Sequence, residues 1–179
     1  TPHHLLLTDE RALSYDPIFK VNPPLRTQRD VEALREGLAD GTIDIVATDH
    51  APHPAEAKEC EWQEAAFGML GLESALAIVN QVMVATGLMT WEAVADRMSY
   101  SPARIGRYEG HGQKIAIGNQ ANLTVINPTQ TLRVDRDLVA SRSRNTPFHG
   151  MQLQGVVAAT IYRGHPTLLN GKLSATGER

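Results

Sequence analysis

The sequence predicts an α/β unit over residues 1–109 followed by a small all-β unit over residues 110–179. Three observations carry this reading. Strand-like and helix-like segments alternate as far as Tyr108. Beyond it, glycines at 110, 112 and 118 punctuate short β-type runs. A compact β-branched run, Thr42–Thr48, ends in Asp49-His50-Ala51-Pro52-His53. A buried parallel-type strand delivers ionisable groups past its C-terminal end in this way.

The elements follow in chain order. Leu5-Leu6-Leu7 is a short apolar run, and Asp16–Asn22 reads as a short strand stopped by Pro23-Pro24. Thr27 with Asp30 forms a capping box in which Asp replaces the usual Glu or Gln. Val31, Leu34 and Leu38 then recur at helical spacing, and Asp40-Gly41 ends that helix. Thr42–Thr48 is the buried strand, and the polar residues 55–66 read as a surface loop. Leu72–Thr86 is apolar almost all round, the pattern of a largely buried helix. Thr90 caps a helix running through Met98, and Ser101-Pro102 starts another with proline in its first turn. In the β unit, strands are expected at Leu123–Ile126, Leu132–Val134, Val156–Tyr162 and Leu168-Leu169, with turns at Asn127-Pro128 and Asn170-Gly171.

Composition excludes several classes. The 179 residues hold 17 Lys+Arg against 20 Asp+Glu, a net charge of −3. That balance is a poor match for non-specific nucleic-acid binding, so no nucleic-acid partner is expected. No apolar run approaches the roughly 18 residues of a membrane span, so no membrane partner is expected either. The single cysteine, Cys60, cannot form an internal disulfide. A reducing, cytoplasmic location is the natural expectation. The chain opens on Thr1 rather than Met, which we read as a mature start or an incomplete chain.

Four stretches could carry chemistry. Asp49 in the turn after strand 42–48 could ligate a cation through oxygen or act as a general base. Equally, it could cap backbone N–H groups at a strand end. The prolines around His53 stiffen its turn and keep the imidazole aimed. His3 and His4 suggest metal binding, yet adjacent residues on a strand point to opposite faces, so one at most would face a given site. Asn22, at a strand end before a rigid Pro-Pro turn, offers both donor and acceptor to an amide or imide edge, or simply closes the turn. Gly68, after Phe67, allows a ligand to approach the backbone closely, or merely docks the long helix. His111, His149 and His165 read as lying in surface turns, and Asn145-Thr146-Pro147-Phe148 reads as a turn.

Taken together, TPHHLLLTDE, VNPPLR, DGTIDIVATDHAPH and AAFGMLGLE, in this order and spacing, closely resemble the bacterial class I dihydroorotases of the amidohydrolase superfamily. NTPFHG and YRGHPTLLNGK resemble that family's C-terminal β unit. The resemblance spans essentially the whole chain and only the C-terminal portion of a family member. It implies an α/β fold made of the C-terminal strands and helices of a TIM-type (β/α)8 barrel, followed by a small β-sandwich unit. A complete barrel takes about 250 residues, so the chain would be the back part of a larger domain. The implied reaction is the reversible conversion of N-carbamoyl-L-aspartate to L-dihydroorotate, in pyrimidine biosynthesis.

The resemblance also implies roles. Asp49 matches a metal-ligating carboxylate and general acid/base. Asn22 and His53 match substrate-binding residues, and Phe67 and Gly68 match the pair whose backbone meets the pyrimidine ring. The implied cofactor is zinc in a binuclear site. The family's His-Xaa-His, bridging ligand, two further metal histidines and carboxylate-gripping Arg have no match here, so the chain alone is expected to be inactive. A homo-oligomer or association with aspartate transcarbamoylase is a further expectation. The alternatives are a non-catalytic dihydroorotase-like subunit and a cyclic amidase of the dihydropyrimidinase, hydantoinase or allantoinase type.

Overall fold

A computed structural model describes residues 1–174. Its element order is helix α1 (Pro2–Leu6), α2 (Gln28–Asp40), α3 (Ala55–Lys58), α4 (Ala75–Val79), α5 (Trp91–Ala95) and α6 (Ser101–Gly106). Strands β1 (Leu123–Arg133), β2 (Gln152–Tyr162), β3 (His165–Leu169) and β4 (Lys172–Leu173) complete it. The four strands form one antiparallel sheet in sequential order. Asn170 and Gly171 both adopt positive φ between β3 and β4, as a two-residue hairpin turn with the strands' own twist requires.

Local sequence chemistry explains the helices. Thr27 Oγ1 accepts from the Asp30 N–H while the Asp30 carboxylate accepts from the Thr27 N–H, so the capping box forms at the start of α2. Val31 and Leu38 then bury on one face of α2. Thr90 caps α5 by accepting from the Ala93 N–H. Both α4 and α5 run on into single π-helical turns, Asn80–Val84 and Asp96–Tyr100. The first of these aims Asn80 at the sheet. Asn80 is 2 % exposed, and its Nδ2 donates to the Pro128 and Gln154 carbonyls. One amide thereby ties the buried helix to β1 and β2. A single core runs from Leu5 and Leu7 through Val31's helix partner Leu38, Met69, Ile78 and Met83 to Phe148 and Leu153.

Several expectations differ from the structure. Asp16–Asn22 is not a strand: Asp16 caps a 3₁₀ turn over Pro17–Phe19 by accepting from the Ile18 N–H. That side-chain turn supplies the hydrogen bonding that a ladder would otherwise provide. Thr42–Thr48 is not assigned to a strand, because no ladder partner lies beside it among the described residues; its Val46 N–H bonds the Arg97 carbonyl instead. His3 and His4 lie on a helix, not a strand, and both are buried. In the β unit, the expected Asn127-Pro128 turn is absorbed into β1 as an irregularity between Asn127 and Thr131, with Asn127 Oδ1 accepting from the Thr129 and Gln130 N–H groups.

Two isolated parallel bridges show how the segment ends lie in space. Thr8 pairs with Arg26, and His50 pairs with Met69. Consecutive segment ends therefore run side by side in the same direction, which sets the turns that follow them along one rim.

Candidate functional site

The rim is built from three segments: the end of 20–24, the turn 49–53 and the run 66–71. The Gly68 N–H donates to the Lys20 carbonyl at 2.9 Å and the Ala51 N–H donates to the Met69 carbonyl at 3.0 Å, so each segment is tied to its neighbour by main chain. His4 closes the opposite side. Its Nε2 donates to the Pro23 carbonyl at 3.0 Å, and its Nδ1 accepts from the Thr1 hydroxyl at 2.6 Å. That pattern fixes the imidazole as the Nε2–H tautomer. Burial pushes His4 below its ordinary range, while the Pro23 carbonyl and the Asp49 carboxylate pull the other way.

Asp49 is exposed, with φ of 47°. A non-glycine residue in the left-handed region is uncommon, though Asp tolerates it better than most, and such positions gather at functional turns. Its charge is felt by both His4 and the Thr1 amine, which sets it on the side of the rim that α1 closes. Asn22 is exposed in the adjoining turn, before a cis Asn22–Pro23 peptide.

His53 and the Phe67-Gly68 pair form one unit. His53 Nε2 bonds the Phe67 carbonyl at 2.9 Å. Gly68 adopts φ of +120°, and a Cβ there would lie 2.6 Å from Ala51 Cβ and 3.2 Å from His53 Nε2. Only glycine fits that approach. The Phe67 ring is 57 % exposed, with the Lys20 ammonium 4.6 Å from its centroid.

A buried lysine holds this unit down. Lys58, 6 % exposed, donates to the Lys20, Ala66 and Gly68 carbonyls at 3.3, 3.0 and 2.9 Å. Burial, and then the charge of Lys20, lower its pKa to about 8, while Asp16 and Cys60 oppose that shift. The segment expected as a polar surface loop thus carries a buried cation that cross-links two others. Sequence reasoning missed Lys58, because a lysine in a charged stretch is ordinarily solvated.

It also missed Asn145. The turn 145–148 is buried throughout: Asn145, Thr146 and Phe148 are 4, 3 and 0 % exposed. The only hint in the sequence is Phe148, an aromatic in an otherwise polar run. Beyond the turn opens a cavity of about 870 Å³, lined by His53, Lys58, Arg136, Arg142, Arg144 and His149 among others. Its volume is that of a small-molecule site.

His3 is fully buried and neither ring nitrogen has a hydrogen-bond partner. Burial, and next the neighbouring His4, push its pKa down to about 3, so the ring is neutral at ordinary pH. The His3 and His4 rings lie 4.5 Å apart between centroids, tilted by 49°. Among the described residues, no group of three or more His, Cys, Asp or Glu is arranged to hold a metal ion. A catalytic zinc takes about three protein ligands, so a zinc site does not fit the side chains described here by themselves. No described helix is long and apolar enough to cross a membrane.

Comparison with known proteins bears on the chain's family and fold. The pattern of the Amidohydrolase family matches residues 10–167. A dihydroorotase of Streptomyces coelicolor is 61 % identical over 174 residues, covering 97 % of this chain and 41 % of the relative. A dihydroorotase of Mycobacterium tuberculosis is 51 % identical over 98 % of this chain and 41 % of its own length. The chain therefore spans about two fifths of these relatives. Among solved structures, L-hydantoinase (dihydropyrimidinase) from Arthrobacter aurescens superposes with a TM-score of 0.90 at 31 % identity, over 97 % of this chain and 39 % of that one. D-hydantoinase from a Thermus species superposes at 0.83 with 23 % identity and shares the fold.

Proposed function

Because the chain belongs to the amidohydrolase family, we propose that it supplies the substrate-binding and proton-transfer side of a dihydroorotase, interconverting N-carbamoyl-L-aspartate and L-dihydroorotate. The single observation that carries this reading is the His53–Phe67–Gly68 unit: an imidazole locked to a close-packed backbone in the turn that follows Asp49. A flat imide ring has donors and acceptors along its edge. The exposed Asn22 amide and the second lone pair of the Phe67 carbonyl can meet that edge. His53, placed by its turn and by the Phe67 carbonyl, would take the ring carboxylate.

Asp49 is the residue proposed to move the proton. In hydrolysis it would accept a proton from the attacking water and return it to the departing ring nitrogen, one carboxylate serving both steps in turn. Amidohydrolases are generally metal-dependent. The zinc expected from the resemblance would need ligands beyond those described here. Asp49 is the one residue of this chain proposed for it. The boundary near residue 110, between a partial barrel and the β unit, belongs to the same proposal.

The test is activity on N-carbamoyl-L-aspartate of this chain joined to the preceding portion of a dihydroorotase, to supply the metal ligands absent among the described residues. Asp49→Asn is expected to lower kcat by about 10²–10⁴-fold, the usual contribution of general acid–base catalysis. His53→Ala is expected mainly to raise KM. Turnover of Asp49→Asn within tenfold of the unsubstituted protein would overturn Asp49's role. The close superposition on a hydantoinase favours one second reading, a cyclic amidase for rings without a carboxylate. Faster hydrolysis of dihydrouracil or hydantoin than of dihydroorotate would select it.

A further inference from the structure

We propose that Asn145 is a positioning residue: it sets His53 and Gly68 at the distance the site needs, from a segment 77 or more residues away in sequence. The inference deepens the proposed function and rests on it for its kinetic arm only.

The side chain bridges the two segments that carry the unit. Asn145 Oδ1 accepts from the His53 N–H at 3.2 Å. Its Nδ2 donates to the Ala51 carbonyl at 2.8 Å and reaches the Gly68 carbonyl at 3.5 Å. Its own main-chain carbonyl accepts from the Leu70 N–H at 3.0 Å. One residue thus holds both sides of the contact at which a Cβ on Gly68 would collide with Ala51 and His53.

The group is also well suited to the task. An amide carries acceptor and donor on a rigid planar fork, so satisfying both fixes the turn's position and rotation together. Asn145 is 4 % exposed, and Phe148, three residues on, is fully buried in the core. The fork therefore stands on a fixed base rather than on a mobile loop. No other side chain among the described hydrogen bonds contacts both the 51–53 turn and Gly68. Asn145 lines the cavity that His53 also lines, yet its polar atoms are spent on protein, so its action on a ligand runs through His53.

The experiment compares Asn145→Ala with Thr146→Ala in the same joined protein. Thr146 is equally buried, and its hydroxyl accepts only from the Phe148 N–H. Asn145→Ala is expected to raise KM about tenfold, with kcat changed by less than about threefold, through loss of buried hydrogen bonds that aim His53. Thr146→Ala should leave KM within about twofold. A second readout needs no turnover: amide hydrogen exchange at His53 should accelerate at least tenfold in Asn145→Ala, while Leu70, bonded to the retained main-chain carbonyl, stays protected. Unchanged exchange at His53 overturns the proposal. So does an equal KM change in both variants, which would mark a merely structural role. If the unsubstituted protein fails to turn over the substrate while His53 exchange responds as expected, the dihydroorotase reading fails and the positioning role of Asn145 stands.

Discussion

Replacing Gly68 by alanine isolates the close approach on which the candidate site depends. The new Cβ would stand 2.6 Å from Ala51 Cβ, where carbon atoms normally sit about 3.5–4.0 Å apart. The two segments must then part by about 1 Å. Neither moves freely, because Asn145 grips Ala51 and His53 while Lys58 holds the Gly68 carbonyl. The backbone adds its own penalty, since φ of +120° lies in a region that L side chains avoid, at about 1–3 kcal/mol. Overpacking adds roughly 1–3 kcal/mol, so Gly68→Ala is expected to destabilise by about 2–6 kcal/mol. Gly87→Ala is the matched control. Gly87 has φ of +78° and nothing within 4 Å of its imagined Cβ, so it suffers only conformational strain, about 1 kcal/mol. The assay is the urea midpoint of each variant in this chain, with KM for N-carbamoyl-L-aspartate measured in the joined protein beside it. Gly68→Ala should shift the midpoint more than Gly87→Ala and alone raise KM, by about tenfold. Equal midpoints and equal KM values for the two variants would refute the argument that this contact shapes the site.

Two further outcomes concern buried titrating groups. Lys58 is pushed from 10.5 to about 8, so between those values the unfolded chain keeps a proton that the folded chain has released. Stability contributed by this group is therefore lowest below about pH 8 and rises towards pH 10.5. Lys58→Met should flatten that rise, and at pH 7 it should shift stability by about 1–3 kcal/mol through the orphaned Ala66 and Gly68 carbonyls; urea midpoints across pH 7–10.5 check both, and an unaltered slope would count against the assignment. His3, lowered from 6.5 to about 3, is neutral when folded, so stability is lost as pH falls from about 6.5 towards 3, where the unfolded chain takes up the proton. His3→Leu should reduce the acid-side slope in the same measurement, and a slope equal to that of the unsubstituted protein would show that the ring is charged or solvated when folded.

Much of the candidate site was legible because its residues stand in contiguous runs with strong local chemistry. Asp49 and His53 share one proline-stiffened turn, and Gly68 follows Phe67 directly. Lys58 and Asn145 were hidden for the same physical reason. Both act by reaching across 8 to 94 residues to main-chain carbonyls and N–H groups, and main chain carries no side-chain signature that could flag a partner.

Sequence by itself determined the features whose physics is local. The Thr27–Asp30 box begins α2, Val31 and Leu38 choose its buried face, and Asn170-Gly171 closes the β3–β4 hairpin, because each depends on residues within one or two turns of chain. Tertiary structure decided what depends on neighbours. It left Thr42–Thr48 without a ladder among the described residues, turned the Asp16 segment into a capped 3₁₀ turn, bent α4 through a π turn that aims Asn80 at the sheet, and buried Lys58 and Asn145 as braces. A strand exists only beside another strand, and a buried polar group persists only where distant partners satisfy it.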